Sequence, residues 1–207
     1  MSTIVIGLTG AAGAGKDTVA DRLVLRLRQA GHSSERIALA DPIRRMLGVL
    51  GVPACYMTDR SLKELPVPGF GRSYRHLAQT LGTEWGRGHV KDELWLDLAA
   101  RRIADEARAV EPGHFIAIVP DVRFPNEARW LRRQGGMLLR VDRPGVAPVR
   151  GHSSENHYAH MAADIDLRNN GSLQDLLLHV DFLAGGIFTW AHQRRSADAG
   201  APTTTEG

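Results

Sequence analysis

Short apolar runs rich in β-branched residues alternate along this chain with stretches in which apolar residues recur every three or four positions. Ile4 to Leu8 is the first run. After a glycine-rich stretch, Val19, Leu23, Val24 and Leu27 fall on one side of a helix predicted from Lys16 to Gln29. Ile37 to Ala40 reads as a second strand. Pro42 to Leu50 reads as a helix, with Ile43, Met46, Leu47 and Leu50 inward. Pro53 to Tyr74, with Pro66, Pro68, Gly69 and Gly71, reads as irregular. Helices are predicted over His76 to Leu81 and Asp92 to Val110, and a third strand over Phe115 to Val119. Pro125 opens a further helix, Asn126 and Glu127 fill its first turn, and Gly135 ends it. Met137 to Val141 and Ile165 to Leu167 complete the strands. Asn169-Asn170-Gly171 is a turn, after which Ser172 caps a last helix running to about Leu183.

Strands alternating with helices imply an α/β fold: a doubly wound, five-stranded parallel sheet with helices on both faces. Right-handed crossovers put the ligand at the C-terminal ends of the strands. No repeat or linker interrupts the pattern, so residues 1–194 read as one domain. Residues 195–207 lack apolar periodicity and read as a flexible tail.

Composition narrows the class. The 207 residues are 43% hydrophobic and 24% charged, ordinary for a soluble protein. The longest apolar runs are too short to span a bilayer. The N-terminus has no basic region ahead of its first strand, so the reading is an intracellular, cytoplasmic protein without a membrane partner. Cys55 is the only cysteine; it rules out an intrachain disulfide or a cysteine-based zinc site, and a buried, inert thiol is the default. The formal charge of +3 comes mostly from arginine, with lysine only at positions 16, 63 and 91. That balance suits arginines gripping phosphorylated small molecules and equally a nucleic-acid surface.

The glycine-rich stretch carries the most specific signal. Gly10, Gly13, Ala14, Gly15, Lys16, Asp17 and Thr18 complete a G-x-x-x-x-G-K phosphate-loop core between a strand and a helix. Small residues let several backbone N–H groups wrap an anion, and the helix N-terminus adds partial positive charge. Lys16 reaches the β- and γ-phosphates of a nucleoside triphosphate. Asp17 stands where the general motif has a hydroxyl for Mg²⁺, so either Asp17 or Thr18 supplies that oxygen. No N-K-x-D base-reading motif of a GTPase is present, and Asp142 to Gly145 is only a lone D-x-x-G match.

GLTGAAGAGKDTVADRL, ALADPIRRML, RHLAQTLGTEWGR, IVPDVRFPNEA, the HSSE after Arg143, and DIDLRNNGSLQDL together make the chain resemble the phage-type deoxynucleoside monophosphate kinases. These are relatives of dephospho-coenzyme A kinase. The matching stretches run from residue 7 to about 177. The resemblance implies a core, a monophosphate-binding insertion (about 53–110) and a mobile lid (about 143–160). It also makes Asp17 normal for the family, and suggests a viral origin and hence the host cytoplasm.

Asp41 either organises magnesium water, touches the acceptor or caps a helix. Asp121, following an apolar strand, sits where a magnesium ligand is usual, and Arg123 can bridge the transferring and accepting phosphates. By resemblance Arg75, Gln79, Thr83, Glu84, Trp85 and Arg87 form the monophosphate pocket. Gln79 can read a base edge, Trp85 or Trp95 can stack or pack, and Arg75 and Arg87 can hold the phosphate. Trp95 fits the core equally well. Arg143 and Arg150 flank the lid, with His152, Ser153 and Glu155 inside it, and Asn170 and Gly171 either border the adenine or simply turn the chain.

Three functions follow. The first is a deoxynucleoside monophosphate kinase using ATP and Mg²⁺, with catalytic roles for Lys16, Asp121, Arg123 and Arg143. The second is a kinase of another small acceptor such as dephospho-coenzyme A, with Asp41 as base. The third is a non-catalytic nucleotide or nucleic-acid binding module. No motif supports a stable nucleic-acid partner, and a homodimer stays open.

Overall fold

The computed structural model describes residues 2–110, 114–146 and 161–199. They divide into two compact units: the described residues of 2–36 and 103–199, and Ile37–Arg102.

The first unit is built on five parallel strands: β1 (Ser2–Thr9), β2 (Ser33–Arg36), β3 (His114–Val119), β4 (Met137–Asp142) and β5 (Ile165–Arg168). Their order is β2-β3-β1-β4-β5, which makes β1 central. Helix α1 (Lys16–Gln29) and the last helix, α7 (Leu173–Ala199), pack together on one face. There Ile4, Ile6 and Leu8 of β1 meet Leu23 and Leu27 of α1 and Leu176, Val180 and Ala184 of α7 in one buried cluster. The alternate residue Gly7 faces the other way; a Cβ there would lie 3.0 Å from Leu131 of α6 (Pro125–Arg133). The sheet is thus covered on both faces, as the sequence predicts.

Two boundaries differ from expectation. The second strand is Ser33–Arg36, not Ile37 to Ala40. Ile37, Ala38 and Leu39 are buried but form no ladder. The Asp41 N–H bonds the Ala38 carbonyl, and the Ala38 N–H bonds the Asp41 carboxylate, so a closed turn uses these backbone groups. The polar S-S-E-R segment can pair because β2 lies at the sheet's edge. The last helix also runs on to Ala199, past Leu183 and into the expected tail. Burial of Ala184 and Ile187 against the core outweighs the cost of Gly185-Gly186, about 1 kcal/mol per glycine.

The second unit holds α2 (Asp41–Val49), α3 (Ala54–Thr58), α4 (Tyr74–Gln79), a π-helix (Thr80–Val90) and the start of α5 (Leu94–Arg108). It begins and ends earlier than the predicted 53–110 insertion. Helix α3 lies in the stretch read as irregular, and its Cys55 is exposed, correcting the expected buried thiol. The π-helix continues past the predicted helix end at Leu81 through Gly82, Gly86 and Gly88. Two of these glycines make room for packing. A Cβ at Gly82 would sit 2.8 Å from Ile43, and one at Gly86 2.3 Å from the Trp95 ring. The Trp95 Nε1–H donates to the Gly82 carbonyl at 2.7 Å, fixing the π-helix to the start of α5.

Candidate active site

The chain leaves β1 at Thr9 and enters α1 at Lys16 through a loop that depends on positive φ: +134° at Gly10, +84° at Gly13 and +106° at Gly15. Side-chain-bearing residues rarely adopt these angles. Gly10 is needed for space as well, since a Cβ would come within 2.2 Å of the Val141 carbonyl oxygen at the end of β4. The Ala14 N–H bonds the Ala11 carbonyl at 3.1 Å, drawing the loop into a bowl. Lys16 Nζ folds over that bowl and donates to the carbonyls of Gly10 (2.7 Å) and Ala11 (2.8 Å). A phosphate at the loop would compete with those carbonyls for the ammonium. The lysine thus stands over the loop at the N-terminal end of α1, where the helix dipole favours an anion.

Asp17 is 80% exposed and bonded by the Arg36 guanidinium, which also reaches Asp21 at 3.1 Å. Arg36 went unnoticed in the sequence because it ends a polar edge strand. Thr18 lies beside Asp17 in the first turn of α1.

Parallel pairing sets β3 next to β1, with Gly7 opposite Val119. The Val122 N–H then bonds the Leu8 carbonyl at 3.1 Å, so Asp121 and Arg123 leave β3 beside the phosphate loop. Arg123 is exposed and Asp121 half-buried. Glu127, itself buried, accepts the backbone N–H groups of Arg123 and Phe124 and fixes this turn. The sequence placed Glu127 at the helix start, and there its carboxylate caps the N–H of Phe124, the residue that precedes α6. Arg143 follows β4 and is exposed. Arg150, His152, Ser153 and Glu155 lie outside the described residues, as does most of the predicted lid.

Asn170 and Gly171 follow β5. Gly171 has no room for a side chain, because a Cβ would meet Asp175 Oδ2 at 2.6 Å. Ser172 and Asp175 cap the start of α7 reciprocally. The Ser172 hydroxyl and N–H hold the Asp175 carboxyl below its ordinary value. Asn169, which the sequence marked only as part of a turn, is buried just after β5, and its side-chain amide donates to the Ala14 carbonyl at 2.8 Å.

The second unit holds the remaining candidates. Asp41 is the first residue of α2. Its carboxylate accepts from Arg44 at 2.8 Å and from Arg102 at 3.1 Å, two arginines that sequence reasoning missed. Arg44 was visible at i+3 from Asp41; Arg102, far along the chain, gave no signal. Arg75 pairs with Glu64, and Arg87 lies 3.7 Å from Asp92. Gln79, Thr83, Glu84 and Trp85 are exposed on α4 and the π-helix. Of the two aromatics, Trp95 is 3% exposed with its N–H satisfied, so it packs, whereas Trp85 is 43% exposed.

Among the described residues no three acidic, histidine or cysteine side chains gather as a metal cage. Mg²⁺ travelling with a triphosphate needs only one or two protein oxygens, the rest being water and phosphate. Asp17, Thr18 and Asp121 fit that sparse requirement.

Comparison with known proteins gives consistent matches. Residues 71–180 match the family described as deoxynucleotide monophosphate kinase. A protein of Acanthamoeba polyphaga mimivirus, provisionally named a deoxynucleotide monophosphate kinase, is 30% identical over 86% of this chain and 94% of its own. The deoxynucleoside-5'-monophosphate kinase of Escherichia phage T5 is 26% identical over 63% of this chain and 72% of its own. The solved APS kinase CysC of Mycobacterium tuberculosis, in complex with AMPPNP and APS, overlaps at a TM-score of 0.43 and 13% identity, covering 86% of this chain and 95% of that one. An overlap at that level adds nothing to the argument.

Proposed function

The chain belongs to the deoxynucleotide monophosphate kinase family, and from that premise we propose how its residues move the γ-phosphoryl group of ATP onto a deoxynucleoside monophosphate. The observation that carries the reading is the bowl of residues 10–16, with Lys16 Nζ stationed at its mouth.

The triphosphate of ATP lies in that bowl, on backbone N–H groups and the N-terminal end of α1. Lys16 turns from the Gly10 and Ala11 carbonyls to the β- and γ-phosphates, where its charge offsets that of the transferring group. Asp17, or Thr18 beside it, and Asp121 hold Mg²⁺ together with its waters. When bound, the ion neutralises phosphate oxygens and keeps them in one geometry. Arg123 and Arg143, both exposed after strand ends, supply positive charge to the equatorial oxygens in the transition state. An acceptor phosphate is anionic near neutral pH and needs no strong base, so the rate comes from alignment and charge stabilisation.

The acceptor nucleotide is the task of the second unit. Arg44 and Arg102, held by Asp41, supply guanidinium donors for its phosphate. Trp85 offers the exposed ring for its base, with Gln79, Thr83 and Glu84 as the polar groups near it. Arg75 and Arg87, paired with Glu64 and Asp92 as Arg44 and Arg102 are with Asp41, are further donors for the same phosphate. No helix among the described residues is long and apolar enough to cross a membrane. We place the enzyme in the cytoplasm, acting on free nucleotides without a nucleic-acid partner.

Incubating the protein with ATP·Mg²⁺ and each ribo- and deoxynucleoside monophosphate, and resolving the products, tests the assignment. Diphosphate is expected from at least one deoxynucleotide, and Lys16→Ala is expected to reduce its formation about a hundredfold or more while leaving the fold intact. Undiminished transfer in that variant would remove the bowl from the mechanism. Turnover of dephospho-coenzyme A alone would favour the second reading.

A further inference from the structure

Asn169 stands at the junction of three elements. Its backbone N–H donates to the Asp142 carbonyl at 2.6 Å, which ties the end of β5 to the end of β4. Its side-chain Nδ2 donates to the Ala14 carbonyl at 2.8 Å, which ties the same residue to the phosphate loop. The residue is 7% exposed, so this amide bond is shielded from competing water. Gly15 completes the fit: a Cβ there would lie 2.8 Å from Asn169 Nδ2, besides requiring a strained backbone at φ +106°.

We propose that Asn169 is a positioning residue for the phosphate loop, its amide fixing the Ala14–Gly15 peptide so that the Gly15 N–H is presented to the triphosphate of ATP. A trans peptide is planar, and its C=O and N–H point in opposite directions. Holding the Ala14 oxygen toward Asn169 therefore turns the next N–H away from it, into the bowl. Residue type matters. The side chain must be short enough to stand against Gly15, and it must donate. An aspartate of the same shape has no proton to give when ionised and would set its charge against the Ala14 carbonyl oxygen. The residues that follow, Asn170 and Gly171, are those read from the sequence as bordering the adenine. One corner of the chain then serves both the base and the phosphates. The inference rests on ATP occupying residues 10–18.

The test compares the native chain with Asn169→Asp and Asn169→Ala. ATP and inorganic tripolyphosphate, each with Mg²⁺, are titrated calorimetrically, and KM is measured for the acceptor deoxynucleotide. Both variants are expected to bind both probes about ten- to a hundredfold more weakly, the range of one hydrogen bond to a charged group. The acceptor KM is expected to stay within twofold. A variant that melts like the native chain and binds tripolyphosphate within twofold of it overturns the proposal. So does an acceptor KM that rises in step with that for ATP. Should neither variant fold, the native chain still decides: the Asn169 side-chain amide resonance is expected to shift on adding magnesium tripolyphosphate, and an unmoved resonance overturns the proposal. A native chain that binds neither probe takes down the ATP reading along with it, whereas native binding with unaffected variants removes Asn169 alone.

Discussion

Replacing Gly86 with alanine tests whether the π-helix exists because Trp95 needs the space. A methyl group there would lie 2.3 Å from Trp95 Cζ2 and 2.8 Å from Cε2, distances no real contact reaches. Trp95 is buried, and its N–H is spent on the Gly82 carbonyl, so the ring cannot retreat without losing that bond. Overpacking a core of this kind costs about 1–3 kcal/mol. An unsatisfied buried donor adds roughly 1–3 kcal/mol. Alanine returns about 1 kcal/mol through its better helical propensity. The net loss is about 3 kcal/mol, or roughly 6–12 °C in Tm for a chain of this size. Gly88, two residues on in the same helix, is the matched control. A Cβ there would meet only the Thr83 carbonyl at 3.6 Å, an ordinary contact. Gly88→Ala is therefore expected to be neutral or to stabilise by up to about 1 kcal/mol. Urea unfolding followed by tryptophan fluorescence measures both. Near-UV circular dichroism reports the Trp85–Trp95 pair, whose rings lie 6.5 Å apart at 46°. If Gly86→Ala proves as stable as Gly88→Ala, the ring is not wedged against that glycine and the reasoning fails.

Other outcomes follow from the same geometry. Arg102→Ala is expected to raise the acceptor KM about ten- to a hundredfold with little change in that for ATP; a matching rise for ATP would count against an acceptor-phosphate role. Asp181 on α7 takes two bonds from Arg22, at 2.7 and 2.6 Å, and the Arg22 contact holds its carboxyl below the ordinary value. A carboxyl depressed on folding stabilises fully above its unfolded value, near pH 4, and loses that contribution as pH falls through the folded value. Asp181→Asn is therefore expected to be less stable than the native chain at pH 6 and to converge with it toward pH 3. A stability gap that stays constant over this range refutes the linkage.

The layered sheet was legible because its signals are local and agree: β-branched runs, helical periodicity and glycine punctuation. The phosphate loop was legible because its function constrains backbone angles, which only glycine meets at Gly10, Gly13 and Gly15. What escaped the sequence depends on partners distant along the chain. Ser33–Arg36 forms a strand because β3 offers it an edge, not because its residues ask for one. The π-helix depends on Ile43 and Trp95 filling the space beside Gly82 and Gly86, contacts that no local pattern reveals. Asn169 looked like the first residue of a turn, since nothing nearby in sequence reveals that its amide reaches Ala14. In the second unit Asp41 was noticed, while Arg102, which grips it from α5, was not.

Cys55 being the sole thiol, and standing at the surface of the second unit on α3, offers an experimental handle. A maleimide fluorophore or spin label would attach at one position without any prior cysteine removal, and its signal would follow that unit alone as nucleotides are added. The same sulfur can cross-link two molecules in air. A dimer seen on a non-reducing gel would therefore need repeating with a reductant before it is credited to non-covalent assembly.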